Sequence, residues 1–132
     1  MNRFEELARA ARAAVRARQR RLPLEHLREL VRTAPPTLNA TAVLRSRGRA
    51  VSVIAEVKRA TADFADLTGV GDVAVLARFY EAGGAACVSV VTEPLRSHGA
   101  LEDLDAVRGA VDVPVLVNDQ LEIGRASCRE RV

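Results

Sequence analysis

Val51-Ser52-Val53-Ile54-Ala55-Glu56-Val57-Lys58 is the stretch that decides the fold. It is a compact, β-branched apolar run, too short for a helix, and it gives way to charge only at its end. Runs of this kind form the buried strands of parallel sheets. A Glu and a Lys arriving at the C-terminal end of such a strand stand where parallel sheets build their sites.

Reading outward toward the C-terminus, a loop through Gly69 and Gly71 leads to Asp72, which can cap a helix from 73 to 82. Val75, Leu76, Phe79 and Tyr80 make its apolar side, and Gly83-Gly84 stops it. Cys87-Val88-Ser89-Val90-Val91 predicts a second strand that ends at Thr92-Glu93. The loop from Pro94 to Gly99 leads to a helix over 101–110. Val113-Pro114-Val115-Leu116-Val117 predicts a third strand, with Asn118-Asp119 at its end. Strands alternating with helices of about ten residues predict a parallel α/β sheet. No glycine-rich dinucleotide fingerprint or phosphate loop is present; Gly69-x-Gly71 is too short to count.

Toward the N-terminus the pattern is helical. Phe4, Leu7, Ala8, Ala11 and Val15 recur at helical spacing over 3–20, with arginines on the other face. Pro23 interrupts, Leu24, Leu27, Leu30 and Val31 make a second short helix, and Pro35-Pro36 ends it. Thr37 to Gly48 reads as a polar connector with one helical turn around Ala42 to Leu44.

Composition removes several function classes. No apolar run approaches the about 20 residues of a membrane span, and the N-terminus lacks the apolar core of a secretory signal. Cys87 and Cys128 make no disulfide framework, and no Cys/His cluster has metal-ligand spacing. A cytoplasmic setting without membrane contact or bound metal is therefore expected. Residues 1–50 carry +8 and residues 51–132 carry −5. The Arg-rich helix reads as lying across an acidic partner surface rather than as a nucleic-acid arm. Aromatic residues are 3% with no Trp, too few to stack bases, so no nucleic-acid partner is expected. Of the 20 basic residues 19 are Arg, and Lys58 is the only Lys. Arginine keeps its proton in proteins, whereas a lysine can take part in proton chemistry, which singles Lys58 out.

Val53-Ile54-Ala55-Glu56-Val57-Lys58-Arg59-Ala60 resembles the first-strand signature of the indole-3-glycerol phosphate synthase family. Ala77-Arg78-Phe79-Tyr80-Glu81-Ala82-Gly83-Gly84-Ala85-Ala86 is similar to that family's first barrel helix and turn. Ser89-Val90-Val91-Thr92-Glu93 resembles its second strand, and Leu101-Glu102-Asp103-Leu104 with Val113-Pro114-Val115-Leu116 the approach to its third. The resemblance covers about residues 5–119, the N-terminal helices included. It implies the N-terminal portion of a (β/α)8 TIM barrel, about three strands, preceded by a helical extension. The implied divisions are an extension over 1–48, the first βαβαβ part of the barrel over 49–121, and a tail over 122–132.

The implied activity is a lyase of tryptophan biosynthesis, closing and decarboxylating 1-(2-carboxyphenylamino)-1-deoxyribulose 5-phosphate, a small phosphorylated substrate, without a cofactor. Carried over by position, Glu56, Lys58 and Asn118 are the catalytic set, and Arg59, Thr92 and Glu93 are substrate-binding. Lys58 meets the substrate carboxylate, and Glu56 holds that lysine in its charged form. The departures fall at the catalytic edge. Thr61-Ala62-Asp63-Phe64-Ala65 replaces the family's Ser-Pro-Ser-Lys-Gly, and Ser97-His98-Gly99-Ala100 its Phe-Gly-Gly-Ser. Asn118 stands where the family carries its general-acid lysine, and an amide delivers no proton at neutral pH. His98 is the one nearby residue of near-neutral pKa. The pattern suits a paralogue with altered or lost chemistry, binding a phosphorylated ligand or a protein partner.

Glu122 to Val132 continues neither the periodicity nor the resemblance and reads as foreign sequence joined to a genuine reading frame. Three strands fall short of the eight of a barrel. The 132-residue chain is expected to be inactive alone, to expose apolar residues such as Val53, Val88 and Val115 on an unclosed sheet, and to associate through that edge.

Overall fold

The computed structural model describes residues 3–46, 51–60, 69 and 71–119. Their contacts divide them into two units, one ending at Thr37 and the other spanning Leu38–Asp119.

The first unit holds α1 (Arg3–Arg21) and α2 (Leu24–Thr33). Glu5 and Glu6 occupy the first turn of α1 and Arg18, Arg20 and Arg21 its last, the arrangement that the helix dipole favours. The side chains of Phe4 and Leu7 lie outside the described residues. Pro23 lacks an N–H to lose at a helix start, and its carbonyl accepts from the Leu27 amide at 3.2 Å. Leu27 is buried, while Arg28 pairs with Glu25 at 2.7 Å and Arg32 with Glu29 on exposed positions. Ala34 is extended at ψ 142°, as a residue before proline must be, and α2 stops there.

The second unit runs α3 (Ala40–Ser46), β1 (Ile54–Val57), α4 (Val73–Ala82), β2 (Cys87–Val91), α5 (Leu101–Arg108) and β3 (Val115–Asn118). The strands form one parallel sheet in the order β1-β2-β3, the succession expected of the first part of a TIM barrel. Ala55 lies opposite Val88 and Val57 opposite Val90; Val88 in turn faces Val115 and Val91 faces Asn118. The expected α4 and β2 bounds hold. β1 begins three residues late: Val51 stays 83% exposed, and pairing starts only with the Val53 carbonyl, which accepts from the Ala86 amide at 2.8 Å. β3 begins after Pro114, which has no N–H for the ladder but accepts from Val88 at 3.0 Å.

α3 corrects the reading of Thr37–Gly48 as a connector with one turn. The Asn39 side chain accepts from the Ala42 amide at 2.9 Å, an N-cap that starts a seven-residue helix. α3 packs against β2, and Ser52 donates to the Leu44 carbonyl at 3.1 Å. Asp72 caps α4 as expected, accepting from the Ala74 and Val75 amides at 2.8 and 3.4 Å. At its other end Gly84 takes φ +89°, a left-handed turn that returns the chain into β2.

The core lies between the sheet and the helices α4 and α5. Val57, Val88 and Val90 meet Val73, Ala77, Val107 and Val111, with Leu76, Tyr80 and Leu104 around them. Side chains alternate between faces along a strand. Val88 and Val115 therefore belong to the helix-covered face, and Val88 is fully buried rather than exposed on an unclosed face. Of the residues expected to be exposed, Val53 is so at 51% and Val88 is not; Ile54, 46% exposed, and Leu116 lie on the opposite face with Glu56, Cys87, Ser89, Val91 and Asn118. Cys87 and Val91 are buried there all the same.

Candidate active site

The C-terminal ends of the three strands bring the sequence-predicted residues to one edge. Glu56 lies on β1 on the face opposite α4 and α5, and Lys58 follows one residue beyond the strand's end. The Lys58 ammonium lies 3.0 Å from Glu56 Oε1, with the two side chains 32% and 37% exposed. An ion pair that open to water contributes under about 1 kcal/mol to stability. Its geometry therefore serves the surface it faces rather than the fold.

Asn118 closes the second half of the same carboxylate: its Nδ2 donates to Glu56 Oε2 at 2.9 Å. The outer strands of a three-stranded sheet lie about 10 Å apart. Glu56 and Asn118 bridge that gap over Ser89, whose small side chain occupies the intervening β2 position opposite Glu56. From behind, the Tyr80 hydroxyl of α4 donates to the Glu56 main-chain carbonyl at 3.3 Å, tying the strand end to the helix layer. Glu56 is thus fixed by its backbone and by both carboxylate oxygens.

Arg59 faces away from this cluster. Its Nε and Nη2 donate to the two Asp103 carboxylate oxygens at 2.8 and 2.6 Å. The Asp103 hydrogen bond raises the Arg59 pKa against the opposing effect of burial, so the guanidinium stays charged. Asp103 sits in the first turn of α5, where the helix dipole also favours a carboxylate. The bidentate pair joins the residue after Lys58 to the second helix of the sheet.

Thr92 is buried, its hydroxyl donates to Asp119 at 2.8 Å, and its amide donates to the Asn118 carbonyl at 3.1 Å. These bonds lace the end of β2 to the end of β3. The Glu93 carboxylate is taken up by its own loop, accepting from the Leu95, Arg96 and Ser97 amides at 2.8, 2.8 and 3.0 Å. The same loop closes through the Gly99 amide on the Glu93 carbonyl at 2.9 Å. His98 is exposed at φ +52°. Gly99 lies so close to β2 that a Cβ there would sit 2.2 Å from the Val91 carbonyl oxygen.

Glu56, Lys58 and Asn118 thus come together, Thr92 stands beside them, and Arg59 and Glu93 are engaged elsewhere. Sequence reasoning did not assign Tyr80, Asp103 or Asp119. The signals were present: Asp103 is an acid in the first turn of a helix, and Asp119 follows Asn118 at a strand end. Their partners lie 44 and 27 residues away, a pairing that only the strand order supplies. The Thr61–Ala65 loop and the tail from Glu122 lie outside the described residues.

Among the described residues no group of three or more His, Cys, Asp or Glu could hold a metal ion, and no helix is long and apolar enough to cross a membrane. A separate groove of about 540 Å³ runs along α1, lined by Glu5, Ala8, Arg9, Arg12, Ala13 and Arg16.

A family profile described as Indole-3-glycerol phosphate synthase matches residues 4–123. Proteins named indole-3-glycerol phosphate synthase from Mycolicibacterium smegmatis and Mycobacterium avium are 46% identical over 116 residues, and one from Mycobacterium leprae is 45% identical. In each case the match covers 88% of this chain and 42% of the relative. The chain thus spans about two-fifths of the length of the curated relatives that it matches.

Proposed function

The chain belongs to the indole-3-glycerol phosphate synthase family, and from that premise we propose that it supplies the first-strand acid–base pair of such a synthase. The reaction is that named above: ring closure and decarboxylation of 1-(2-carboxyphenylamino)-1-deoxyribulose 5-phosphate in tryptophan biosynthesis. It is proposed for a barrel of the relatives' length that carries these strands. The observation that supports it is the Glu56–Lys58 pair, 3.0 Å apart at the C-terminal edge of the sheet.

In this reading the Lys58 ammonium receives the substrate carboxylate and neutralises it while the ring closes. Glu56, being held at both oxygens, aims the ammonium. Arg59 acts on substrate only through position, because Asp103 occupies its guanidinium. The Thr92–Asp119 link sets the height of Asn118 relative to Glu56. The chemistry needs no cofactor, and a cytoplasmic setting fits a biosynthetic enzyme of this kind. The divisions at 1–48, 49–121 and 122–132 stand as the proposed organisation of the chain.

Asn118 favours a second reading. A missing general acid removes about a hundred- to ten-thousand-fold in rate. A barrel with Asn118 there suits a catalytically impaired paralogue that binds the phosphorylated ligand or a protein partner. The Arg-rich face of α1 is the weakest ground, for a nucleic-acid partner, and steep salt dependence of retention would reveal it.

The test is a graft: residues 4–119 replace the matching segment of the Mycolicibacterium smegmatis relative, and product formation is followed. Measurable turnover that falls at least a hundredfold in Lys58→Met and in Glu56→Gln supports the synthase reading. Turnover indifferent to both substitutions sinks it.

A further inference from the structure

α4 turns an unbroken stripe toward the sheet. Val73 and Ala77 are core residues, and Leu76 and Tyr80 pack against the same core, which completes the i, i+3, i+4, i+7 spacing of one helix face. Of the four, Tyr80 alone carries a polar group, and it is the single tyrosine of the chain. The helix leaves the end of β1 and returns antiparallel to it before β2 begins, so its N-terminus lies toward the C-terminal edge of the sheet. Helical side chains lean toward the helix N-terminus. From the last turn of α4, the long phenol of Tyr80 therefore reaches back toward the edge, and its hydroxyl donates to the Glu56 carbonyl at 3.3 Å.

That bond holds the main chain of a residue whose side chain faces the other way. The Glu56 carboxylate pairs with the Lys58 ammonium at 3.0 Å and accepts from Asn118 at 2.9 Å on the face opposite α4. Lys58 is half-buried beyond the end of β1 and Asn118 is exposed at the end of β3, so neither partner is locked by packing. Tyr80 belongs to the packed layer. Its hydroxyl is the link through which that layer sets the height of Glu56. A phenylalanine would fill the same space, so the packing of α4 does not call for the hydroxyl.

We infer that Tyr80 is a positioning residue, acting through Glu56 to hold the Lys58 ammonium in place. The inference rests on the reading of Lys58 and Glu56 as the acid–base pair. It goes further in assigning part of the site's geometry to a helix that lies behind the edge. A group misplaced by about 1 Å loses about a hundredfold in rate. Removing one neutral hydrogen bond loosens Glu56 rather than displacing it, so the expected loss is about three- to tenfold.

The test uses Tyr80→Phe, which deletes the hydroxyl and keeps the ring. In the full 132-residue chain, which has one Tyr and no Trp, the Raman doublet of tyrosine reads this phenol directly and should carry the signature of a hydrogen-bond donor. In the graft of residues 4–119 into the Mycolicibacterium smegmatis relative, Tyr80→Phe should lower kcat/KM by about three- to tenfold. The same substitution made on top of Glu56→Gln should cost less than about twofold, because the carboxylate through which it acts is gone. A merely structural hydroxyl would cost the same in both backgrounds.

A phenol without the donor signature overturns the inference. So does an unchanged kcat/KM in Tyr80→Phe, or a loss of equal size with and without Glu56→Gln; if Lys58→Met and Glu56→Gln each still cost at least about a hundredfold, the acid–base reading stands without it. A graft that forms no product, or one indifferent to Lys58→Met and Glu56→Gln, overturns that reading and the inference together.

Discussion

Removing Arg59 tests whether the C-terminal edge of the sheet is held by the clamp that the structure displays. In Arg59→Ala the Asp103 carboxylate, 11% exposed, loses both of its guanidinium bonds and keeps little access to water. Breaking a well-buried pair from one side costs about 3–5 kcal/mol, and the partial exposure here points to the lower end, about 3. Asp103→Ala leaves the opposite orphan, a guanidinium whose side chain is 30% exposed and long enough to turn into solvent. That loss is about 1.5 kcal/mol, the value of a charge-assisted bond without a stranded charge. The double variant strands neither group and should cost about 1.5 kcal/mol, less than the two single losses combined by about 3. Urea denaturation at micromolar protein, followed by circular dichroism, measures all four chains. Losses that add within about 0.3 kcal/mol, or an Arg59→Ala loss below about 0.5, would refute the clamp.

Gly99→Ala forces a Cβ onto the Val91 carbonyl at 2.2 Å and should cost about 1–3 kcal/mol of stability, read in the same denaturation assay; an unchanged midpoint contradicts the packing of this loop. Burial pushes the Cys87 thiol above its ordinary value of 9.0. The unfolded chain then loses that proton first, so stability relative to Cys87→Ala is full below about pH 9 and falls above it by up to about 1.4 kcal/mol per pH unit. Parallel stability curves for the two chains from pH 7 to 10.5 would count against that burial. Ile54, 46% exposed on the face opposite α4 and α5, should drive self-association, and Ile54→Lys should lower light scattering at equal concentration; scattering that does not change moves the sticky surface elsewhere.

How far the sequence carries depends on how local the signal is. α4 is legible because its cap, Asp72, and its stop, Gly83-Gly84, sit at its own ends, and β2 because its apolar run is uninterrupted. α3 hides in a polar stretch where the one cue, Asn39, is a capping residue without an apolar stripe behind it. Strand parity is less legible still. Val88 and Cys87 are equally apolar neighbours, and only the partners Ala55 and Val115 reveal which of them faces the helices. At the site, the pairing of Glu56 with Lys58 follows from their two-residue spacing at a strand's end. The engagement of Arg59 by Asp103 does not, since it depends on where α5 begins after two crossovers. Asn118 marks the same boundary: its identity is plain in the sequence, whereas the direction of its amide is decided by Glu56 across the sheet.

The proposed function makes Glu56, Lys58 and Asn118 one catalytic edge in which residue 118 occupies the proton-donating place. The most direct measurement is turnover of the graft of residues 4–119 in the Mycolicibacterium smegmatis relative, with and without Asn118→Lys. Asn118→Lys is expected to raise turnover by about a hundred- to ten-thousand-fold, the worth of a general acid. Equal turnover in the two grafts would contradict it, because residue 118 would then have no part in the chemistry of the edge.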